Sequence, residues 1–221
     1  MSGPVKQPKK ADSRPTRAEQ ARATRRRIIA AAAEQFIALG YGATRLDQVA
    51  ERAGVAVQTV FFHFGNKRTL LKEALDVAAV GDDEQVALLE RPWVEQIQRE
   101  TDPQRIVELW MVTSRAIVER VASLMRVVRG ATGTDPELAA QWDTNQQQIR
   151  TAHGFFVQLL AARGALKPGL GVEQAVDIAF VIGNVETYLQ FSEVCGWTLD
   201  EWQQRIGELL SAALIADTTK Q

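Results

Sequence analysis

Apolar residues recur at intervals of three and four along most of the chain, which is the period of an amphipathic α-helix. The clearest example lies in the first quarter, where Ala, Arg, Glu and Gln fill the positions between Ile28, Ile29, Ala32, Phe36 and Leu39. The sequence contains no useful run of alternating β-branched residues, the pattern typical of a strand. The hydrophobic pattern therefore predicts an all-α protein.

Capping residues and helix breakers set the predicted helix boundaries. Thr16 with Glu19 three residues later forms a capping box, and two Asp-Pro pairs each combine an N-cap with a proline in the first helical position. Glycines end several of the predicted helices. The predicted helices are 17–39, 45–53, 57–62, 67–79, 83–99 with a break or kink at Pro92, 103–120, 122–129, 136–163, 172–194 and 199–216.

The composition is that of a globular protein. Of the 221 residues 46% are hydrophobic and 24% are charged, so the chain can bury a sizeable core. No apolar run approaches the ~20 residues of a membrane-spanning helix. The single cysteine, Cys195, excludes an intramolecular disulfide and a cysteine-based zinc cluster, and we expect a reducing, cytoplasmic environment.

The net charge of −1 conceals a strong asymmetry. Residues 1–72 carry 14 Lys and Arg against 5 Asp and Glu, whereas the remainder carries 12 against 22. Residues 1–16 contain three prolines and four basic side chains but almost nothing to bury, so we interpret them as a disordered basic arm or an inert tail. A basic N-terminal part joined to an acidic remainder favours a polyanion-binding end.

Residues 44–67 contain the motif that is most informative about function. Two short predicted helices meet at Gly54, with Ala50 at their crossing point, and this arrangement is typical of a helix-turn-helix that lays its second helix in the major groove of DNA. Glycine suits the turn because it adopts a positive φ without strain. The positions expected to face inward are Leu46, Val49, Val55 and Val60.

The region resembles the TetR family of bacterial transcriptional regulators over about 55 contiguous residues. The resemblance is carried by the runs FIALGYG at 36–42, TRLDQVA at 44–50, AGV at 53–55 and TVFFHFGNK at 59–67, followed by Leu70 and Leu71. It implies a DNA-binding unit over 17–80 and a helical ligand-binding and dimerisation unit over 81–221. It also implies a homodimer, built through the last two long helices of each subunit. From the absence of a ligand cluster in the sequence we expect neither a cofactor nor a metal.

The second helix of the motif resembles the family's recognition helix. Gln58 can read adenine and Thr59 can contact a thymine methyl or a phosphate, although a solvated helix face is the alternative. Phe61 departs from the usual tyrosine and lacks its phosphate-binding hydroxyl. The full predicted set of DNA contacts is Arg25, Arg26, Arg27, Thr44, Arg45, Val57, Gln58, Thr59, Phe62, His63 and Lys67.

Several of these basic and polar residues have alternative roles. Thr44 contacts a phosphate, caps the second helix, or does both. Lys67 begins the fourth helix, where its ammonium and the helix N-terminal amides favour phosphate. The arginine run 25–27 either adds salt-dependent contacts to DNA phosphates or forms a solvated face.

The second half of the chain offers candidates for a ligand cavity and a dimer interface. Ordinary core packing is the alternative for the apolar members of both groups. The ligand candidates are Trp110, Met111, Met125, Trp142, Gln146, Phe155, Phe156, Asn184 and Tyr188. The interface candidates include a stripe of small residues that permits close helix packing, and they are Ala175, Val176, Ala179, Phe180, Gly183, Trp202, Ile206, Leu209, Leu210 and Ala213.

No catalytic pattern or metal-ligand cluster is visible, and His63 and His153 are the only histidines, so we do not expect an enzyme. The leading hypothesis is a homodimeric repressor that binds a palindromic double-stranded DNA operator and is released by a small, largely apolar effector. One rival is an interaction protein that keeps the fold but responds to a protein partner. Another is a helical enzyme or small-molecule carrier.

Overall fold

The structure is a computed structural model that describes residues 16–82, 84 and 86–216. The predicted arm lies almost wholly outside the described residues. Within them the chain forms helices and one isolated antiparallel bridge between Leu166 and Ile215. The helices are α1 (Arg17–Ala43), α2 (Leu46–Ala53), α3 (Val57–Phe64), α4 (Lys67–Val80), a 3-10 turn (Leu88–Glu90), α5 (Pro92–Arg99), α6 (Pro103–Ala131), α7 (Pro136–Ala162), α8 (Val172–Gly183), α9 (Val185–Glu193) and α10 (Leu199–Leu214).

The caps predicted from the sequence are present in the structure. The Thr16 side chain accepts from the Glu19 backbone in a complete capping box. Asp102 and Asp135 cap α6 and α7, each followed by a proline in the first helical position. Gly40 has φ 76°, so the regular part of α1 ends where the sequence predicted.

Four predicted helices have different bounds in the structure. Among the described residues of 83–99 the chain forms the 3-10 turn and α5, and the predicted break at Pro92 is present because this proline opens a helix. The segments 103–120 and 122–129 form one helix, α6, since neither proline nor glycine interrupts them and Val121 and Ala122 continue its buried stripe. The segment 172–194 is broken at Asn184, whose extended backbone ends α8 and whose side chain accepts from the Glu186 N–H at 3.1 Å to cap α9.

One continuous hydrophobic core joins the N-terminal helices to the rest of the protein. We call α1–α4 the head and α5–α10 the body. In the head, α1 packs on α2 and α4, and α2 packs on α3. The head docks on the body where α1 and α4 pack along α6, and α6 also packs against α7 and α10. The long helix α6 is thus the element through which the two parts share a core.

Candidate nucleic-acid interface and ligand-binding region

The turn between α2 and α3 holds the two helices in one geometry. Gly54 adopts φ 66° and ψ 43°, a left-handed conformation that glycine reaches without strain. The Val55 N–H donates to the Ala50 carbonyl at 3.0 Å and closes the turn. Ala50 is buried at the crossing, and Val60 and Phe64 anchor α3 to the core. The helix-turn-helix predicted from the sequence is therefore present.

The opposite side of α3 faces solvent. Gln58 is exposed, and Phe62 is 85% exposed although it is a large apolar residue. Val57, Thr59 and His63 are half-buried at the edges of this face, and the ring of His63 meets that of Phe62 edge-on at 5.3 Å. A helix with one anchored side and one free side of this kind has the form that enters a DNA groove.

The predicted arginine cluster lies along the N-terminal part of α1. Arg25 forms an ion pair with Glu73 of α4 and lies 5.5 Å from the centroid of the Phe64 ring. Arg26 and Arg27 are exposed. Arg25 therefore also ties α1 to α4, so that its charge is partly balanced within the head.

Two further residues lie at the start of α2 and on α3. Arg45 is exposed and donates to both carboxylate oxygens of Asp47, at 3.0 and 2.7 Å. Phe61 is 51% exposed, so half of its ring surface is open to solvent rather than packed. Both side chains are accessible on the outside of the head.

Thr44 and Lys67 are engaged inside the head. Thr44 is 1% exposed and its hydroxyl donates to the Gly40 carbonyl at 2.7 Å. It follows the end of α1, and the N-cap of α2 is Arg45, so the predicted capping role of Thr44 was wrong. The Lys67 ammonium donates to the carbonyls of Tyr41 and Thr44 at 2.7 and 3.0 Å, and burial lowers its pKa. These bonds hold the α1–α2 connection in place.

The predicted ligand residues of α6 and α7 converge in an aromatic cluster. Trp110 stacks on Phe156 with ring centroids 5.0 Å apart. Trp93 of α5 meets Trp110 and Phe155 edge-on at 6.1 and 6.3 Å. Trp142 is half-buried on α7. The structure therefore brings Trp110, Phe155 and Phe156 together between α5, α6 and α7.

Met111 and Tyr188 lie apart from this cluster. Met111 faces α10, since a Cβ added to Gly207 would lie 3.4 Å from its Cγ. The Tyr188 ring meets that of Trp202 of α10 edge-on at 5.5 Å. The sequence grouped these two residues with Trp110. Met111 is its neighbour on α6, where helix geometry turns adjacent side chains toward different partners, and Tyr188 lies on α9.

Polar side chains lie along α7 and at the α8–α9 break, and we call them the polar row. Gln146 of α7 donates to Glu186 at 2.7 Å and accepts from Asn184 at 3.2 Å. Asn145 is buried, and its amide lies 3.7 Å from the Met125 sulfur. Polar groups at this depth are costly unless they are paired, and these hydrogen bonds pair them between α7 and the α8–α9 break.

The sequence prediction missed His153. It is 4% exposed on α7, its ring lies 5.5 Å from that of Trp110 in an edge-on arrangement, and its Nε2 has no hydrogen-bond partner. Burial lowers the pKa of the imidazole to about 4. The signal that could have revealed it is its spacing, since it lies two helical turns after Asn145 on the same face.

Most of the predicted dimer contacts lie inside the protomer instead. The correction applies to residues that pack within the core formed by α6, α7, α8 and α10, because each of them is buried. These residues are Ala175, Val176, Ala179, Gly183, Trp202, Ile206 and Leu210. Phe180 and Ala213 are half-buried, and Leu209 is 47% exposed.

The described part of the chain holds no helix that is long and apolar enough to cross a membrane. Among those residues there is also no group of three or more His, Cys, Asp or Glu side chains placed to hold a metal ion.

The arrangement defines a class: a helix-turn-helix DNA-binding head on an all-α body. Residues 28–74 match the family model described as bacterial regulatory proteins, tetR family. A segment of 58 residues is 46% identical to the uncharacterised HTH-type transcriptional regulator TtgW of Pseudomonas putida and to the HTH-type transcriptional regulator SrpR of the same species. The match covers 26% of this chain, 43% of TtgW and 27% of SrpR, so the chain spans less than half the length of these curated relatives.

Solved structures extend the likeness to the body. NalD of Pseudomonas aeruginosa, the secondary repressor of the MexAB-OprM multidrug efflux pump, is 23% identical with a TM-score of 0.66, and the match covers 90% of this chain and 100% of NalD. SmeT in a complex with triclosan is 20% identical with a TM-score of 0.67, over 90% of this chain and 95% of SmeT. At these identities the likeness shows the fold. The family-model match, the curated relatives and the shared fold together support a TetR family transcriptional regulator.

Proposed function

We propose that the protein is a homodimeric repressor that binds a palindromic operator and is released from it by a small, largely apolar ligand. The observation that carries the proposal is the two-sided α3 helix. Val60 and Phe64 are buried, whereas Gln58 is exposed and Phe62 is 85% exposed. A monomeric head has no evident use for a phenylalanine so exposed, but such a ring can pack against a thymine methyl in the major groove.

The charge distribution supports DNA as the partner. The basic side chains of residues 1–72 supply salt-dependent attraction to phosphates, and the excess of acidic residues in the remainder keeps the body away from DNA. The arginine cluster 25–27 and Arg45 lie on the head together with α3. In this proposal the main role of Thr44 and Lys67 is to position the α1–α2 connection. They contact a phosphate only at the edge of the DNA interface.

The body supplies the regulatory half of the proposal. The aromatic cluster of Trp93, Trp110, Phe155 and Phe156 and the polar row favour a ligand that is mostly apolar with few polar groups. The complex of SmeT with triclosan and the efflux-pump repressor NalD share this fold, which supports a ligand of this kind. Ligand binding releases DNA if the ligand prefers a separation of the two heads that does not fit the operator.

The proposed dimer keeps the two helices that the sequence suggested but uses only their exposed side, because most of the predicted contact residues are buried within the protomer. Val181 on α8 and Leu209 on α10 are large apolar residues that are 62% and 47% exposed. We assign the interface to this exposed side of the two helices, with Phe180 and Ala213 at its edge. Two recognition helices joined in this way would bind half-sites about 34–36 Å apart, or a multiple of that distance.

A gel-shift titration of the full-length protein on DNA from upstream of its own coding sequence tests the proposal. We expect a salt-sensitive specific shift that Phe62→Ala weakens at unchanged thermal stability. Gln58→Ala should change the preference at one or two base pairs, while Gln104→Ala on the exposed start of α6 should bind like the wild type. A folded dimer that shifts the upstream DNA no better than unrelated DNA would contradict the proposal.

A further inference from the structure

Two buried nitrogens without a hydrogen-bond partner belong to the neighbouring rings of His153 and Trp110 in the core of the body. The Nδ1 atom of His153 lies 2.9 Å from the Ile149 carbonyl oxygen, one turn earlier on α7. A carbonyl only accepts, so we assign the ring proton to Nδ1. The Nε2 atom is then a bare acceptor, and it is buried without a partner. The indole N–H of Trp110 on α6 is a donor, and it is buried without a partner as well.

This pair has a defined chemical character. One acceptor and one donor lie on rings whose centroids are 5.5 Å apart and whose planes are nearly perpendicular. Buried polar atoms are nearly always paired in native proteins, and each unpaired one requires a physical explanation. When an unpaired donor and an unpaired acceptor lie on neighbouring rings, a simple explanation is that one bound group forms hydrogen bonds with both.

The surroundings restrict what that group can be. Phe156 stacks on Trp110, and the ring of Phe180 meets the imidazole edge-on at 6.3 Å. The rings that meet the imidazole, those of Trp110 and Phe180, carry no charge. A carboxylate or an ammonium group would therefore remain unpaired and desolvated here. A hydroxyl fits, because its oxygen accepts from the indole N–H while its hydrogen is donated to Nε2.

We propose that His153 and Trp110 form the polar end of the effector site and that the effector is an uncharged hydroxyl-bearing aromatic compound of the phenol class. The inference rests on the proposed function, since it assumes that the body binds the regulatory ligand. It goes further by naming the two anchoring atoms and the functional group they recognise. The remaining aryl surface of the ligand packs on the rings of Phe156, Phe180 and Trp93.

The break between α8 and α9 explains how such a ligand enters. The Nε2 edge of His153 abuts Gly183, the last residue of α8, so closely that an added Cβ would lie 2.6 Å from Nε2. A hydroxyl therefore reaches Nε2 only when α8 draws back from α7. The extended backbone of Asn184, directly after Gly183, interrupts the helix at the place where this movement can be absorbed. Ligand binding and a change of shape in the body are thus one event.

Calorimetric titration of the full-length protein without DNA tests the assignment, with 4-phenylphenol and its methyl ether, 4-methoxybiphenyl, as probes. The ether keeps the aryl surface and the oxygen but cannot donate to Nε2. We expect the phenol to bind the wild type roughly five- to tenfold more tightly than the ether, the usual effect of one buried hydrogen bond. His153→Phe should reduce this ratio to about one, whereas His153→Gln, which keeps an acceptor, should retain part of it.

A second substitution keeps the assignment testable if the His153 variants do not fold. Trp110→Phe removes the donor and should weaken both probes, since the oxygen of either one accepts from the indole, while Trp197→Phe near the start of α10 should weaken neither. Circular dichroism confirms the fold of each variant. Equal binding of phenol and ether to the wild type, failure of the phenol to bind, or an undiminished ratio in a folded His153→Phe variant overturns the assignment.

The outcomes also separate this inference from the proposed function. If the gel shift shows specific DNA binding but the phenol and the ether bind equally well, the repressor proposal is supported and the assignment of the His153 site is wrong. If the phenol binds more tightly than the ether but no specific DNA shift is seen, the ligand site is supported and the repressor proposal is wrong.

Discussion

The hydroxyl of Tyr41 lies 3.4 Å from the Oδ2 atom of Asp135. Tyr41 belongs to the last turn of α1 in the head, and Asp135 is the N-cap of α7 in the body, where it accepts from the Glu137 N–H at 3.0 Å. Arg68 of α4 also pairs with Asp135. Burial and the nearby Asp135 carboxylate raise the pKa of Tyr41, so the hydroxyl keeps its proton and remains a donor. The helix that carries His153 therefore begins in contact with the head.

Removing this hydroxyl tests the connection. We expect Tyr41→Phe to lower the free energy of unfolding by about 1 kcal/mol, because one partly buried hydrogen bond is lost while the ring packing is kept. DNA affinity without ligand should change little, but the loss of affinity on adding a ligand should be smaller than in the wild type. Chemical denaturation and gel shifts with and without 4-phenylphenol measure the two effects. Unchanged stability together with an unchanged ligand response would show that the contact transmits nothing.

Lys67 offers a test that separates structural support from phosphate binding. Its ammonium donates to the Tyr41, Gly42 and Thr44 carbonyls. We expect Lys67→Ala to destabilise the protein by roughly 2 kcal/mol, because charge-assisted bonds to partly buried carbonyls are lost. If it also contacts a phosphate, the slope of log affinity against log salt falls by about 0.9.

The matched control is Lys72 on the same helix, which is exposed and pairs with Asp76 in the next turn. Lys72→Ala should change stability by less than about 0.5 kcal/mol. Thermal melts give the stability, and gel shifts at several salt concentrations give the slope. A Lys67→Ala variant as stable as the Lys72→Ala variant would refute the supporting role.

The sequence predicted the head better than the body for a physical reason. The recognition motif depends on local spacing, so Ala50, Gly54 and Val60 identify the turn and its anchored face without any long-range information. In the body, the small residues Ala175 and Ala179 correctly indicated a helix face that another helix covers closely. A hydrophobic pattern does not specify whether the covering helix belongs to the same chain, and here it does.

His153 escaped prediction for a related reason. A single histidine in an amphipathic helix has no motif, and its importance arises from the opposing Trp110 and Gly183, which are 43 and 30 residues away in sequence. Only the packing of α6, α7 and α8 brings these three residues together. The family resemblance did not help, since it was confined to the head.

The revised dimer surface makes a direct prediction. Leu209→Glu should convert a dimer to a monomer, because the glutamate places a charge in an apolar interface at the exposed side of α10. Val194→Glu is the matched control, since Val194 is 81% exposed but follows α9 outside the assigned surface. Size-exclusion chromatography with light scattering reports the mass of each variant. A Leu209→Glu variant that remains dimeric would place the interface elsewhere.

His153 should make the protein less stable in mild acid. Its folded-state pKa of about 4 lies below the ordinary histidine pKa of 6.5, so protonation favours the unfolded chain. Well above pH 6.5 the imidazole is neutral in both states and the residue has no effect on the pH dependence of stability. Between pH 6.5 and about 4 the free energy of unfolding should fall by up to ~3 kcal/mol through this residue. Urea denaturation across this range should show a shallower fall for His153→Phe, and parallel curves would contradict the assignment.

Gly183 should tolerate no side chain while His153 is present. An alanine Cβ would lie 2.6 Å from Nε2 of the buried His153 ring, so we expect Gly183→Ala to cost about 1–3 kcal/mol of stability despite its better helix propensity. Gly154→Ala, in the interior of α7 with no atom within 4 Å of the added Cβ, should instead stabilise the protein by up to about 1 kcal/mol. The double variant Gly183→Ala/His153→Ala removes the clash, so its destabilisation should be at least about 1 kcal/mol smaller than the sum of the two single effects. Chemical denaturation of the four variants measures the coupling, and strictly additive effects would mean that the two residues do not meet.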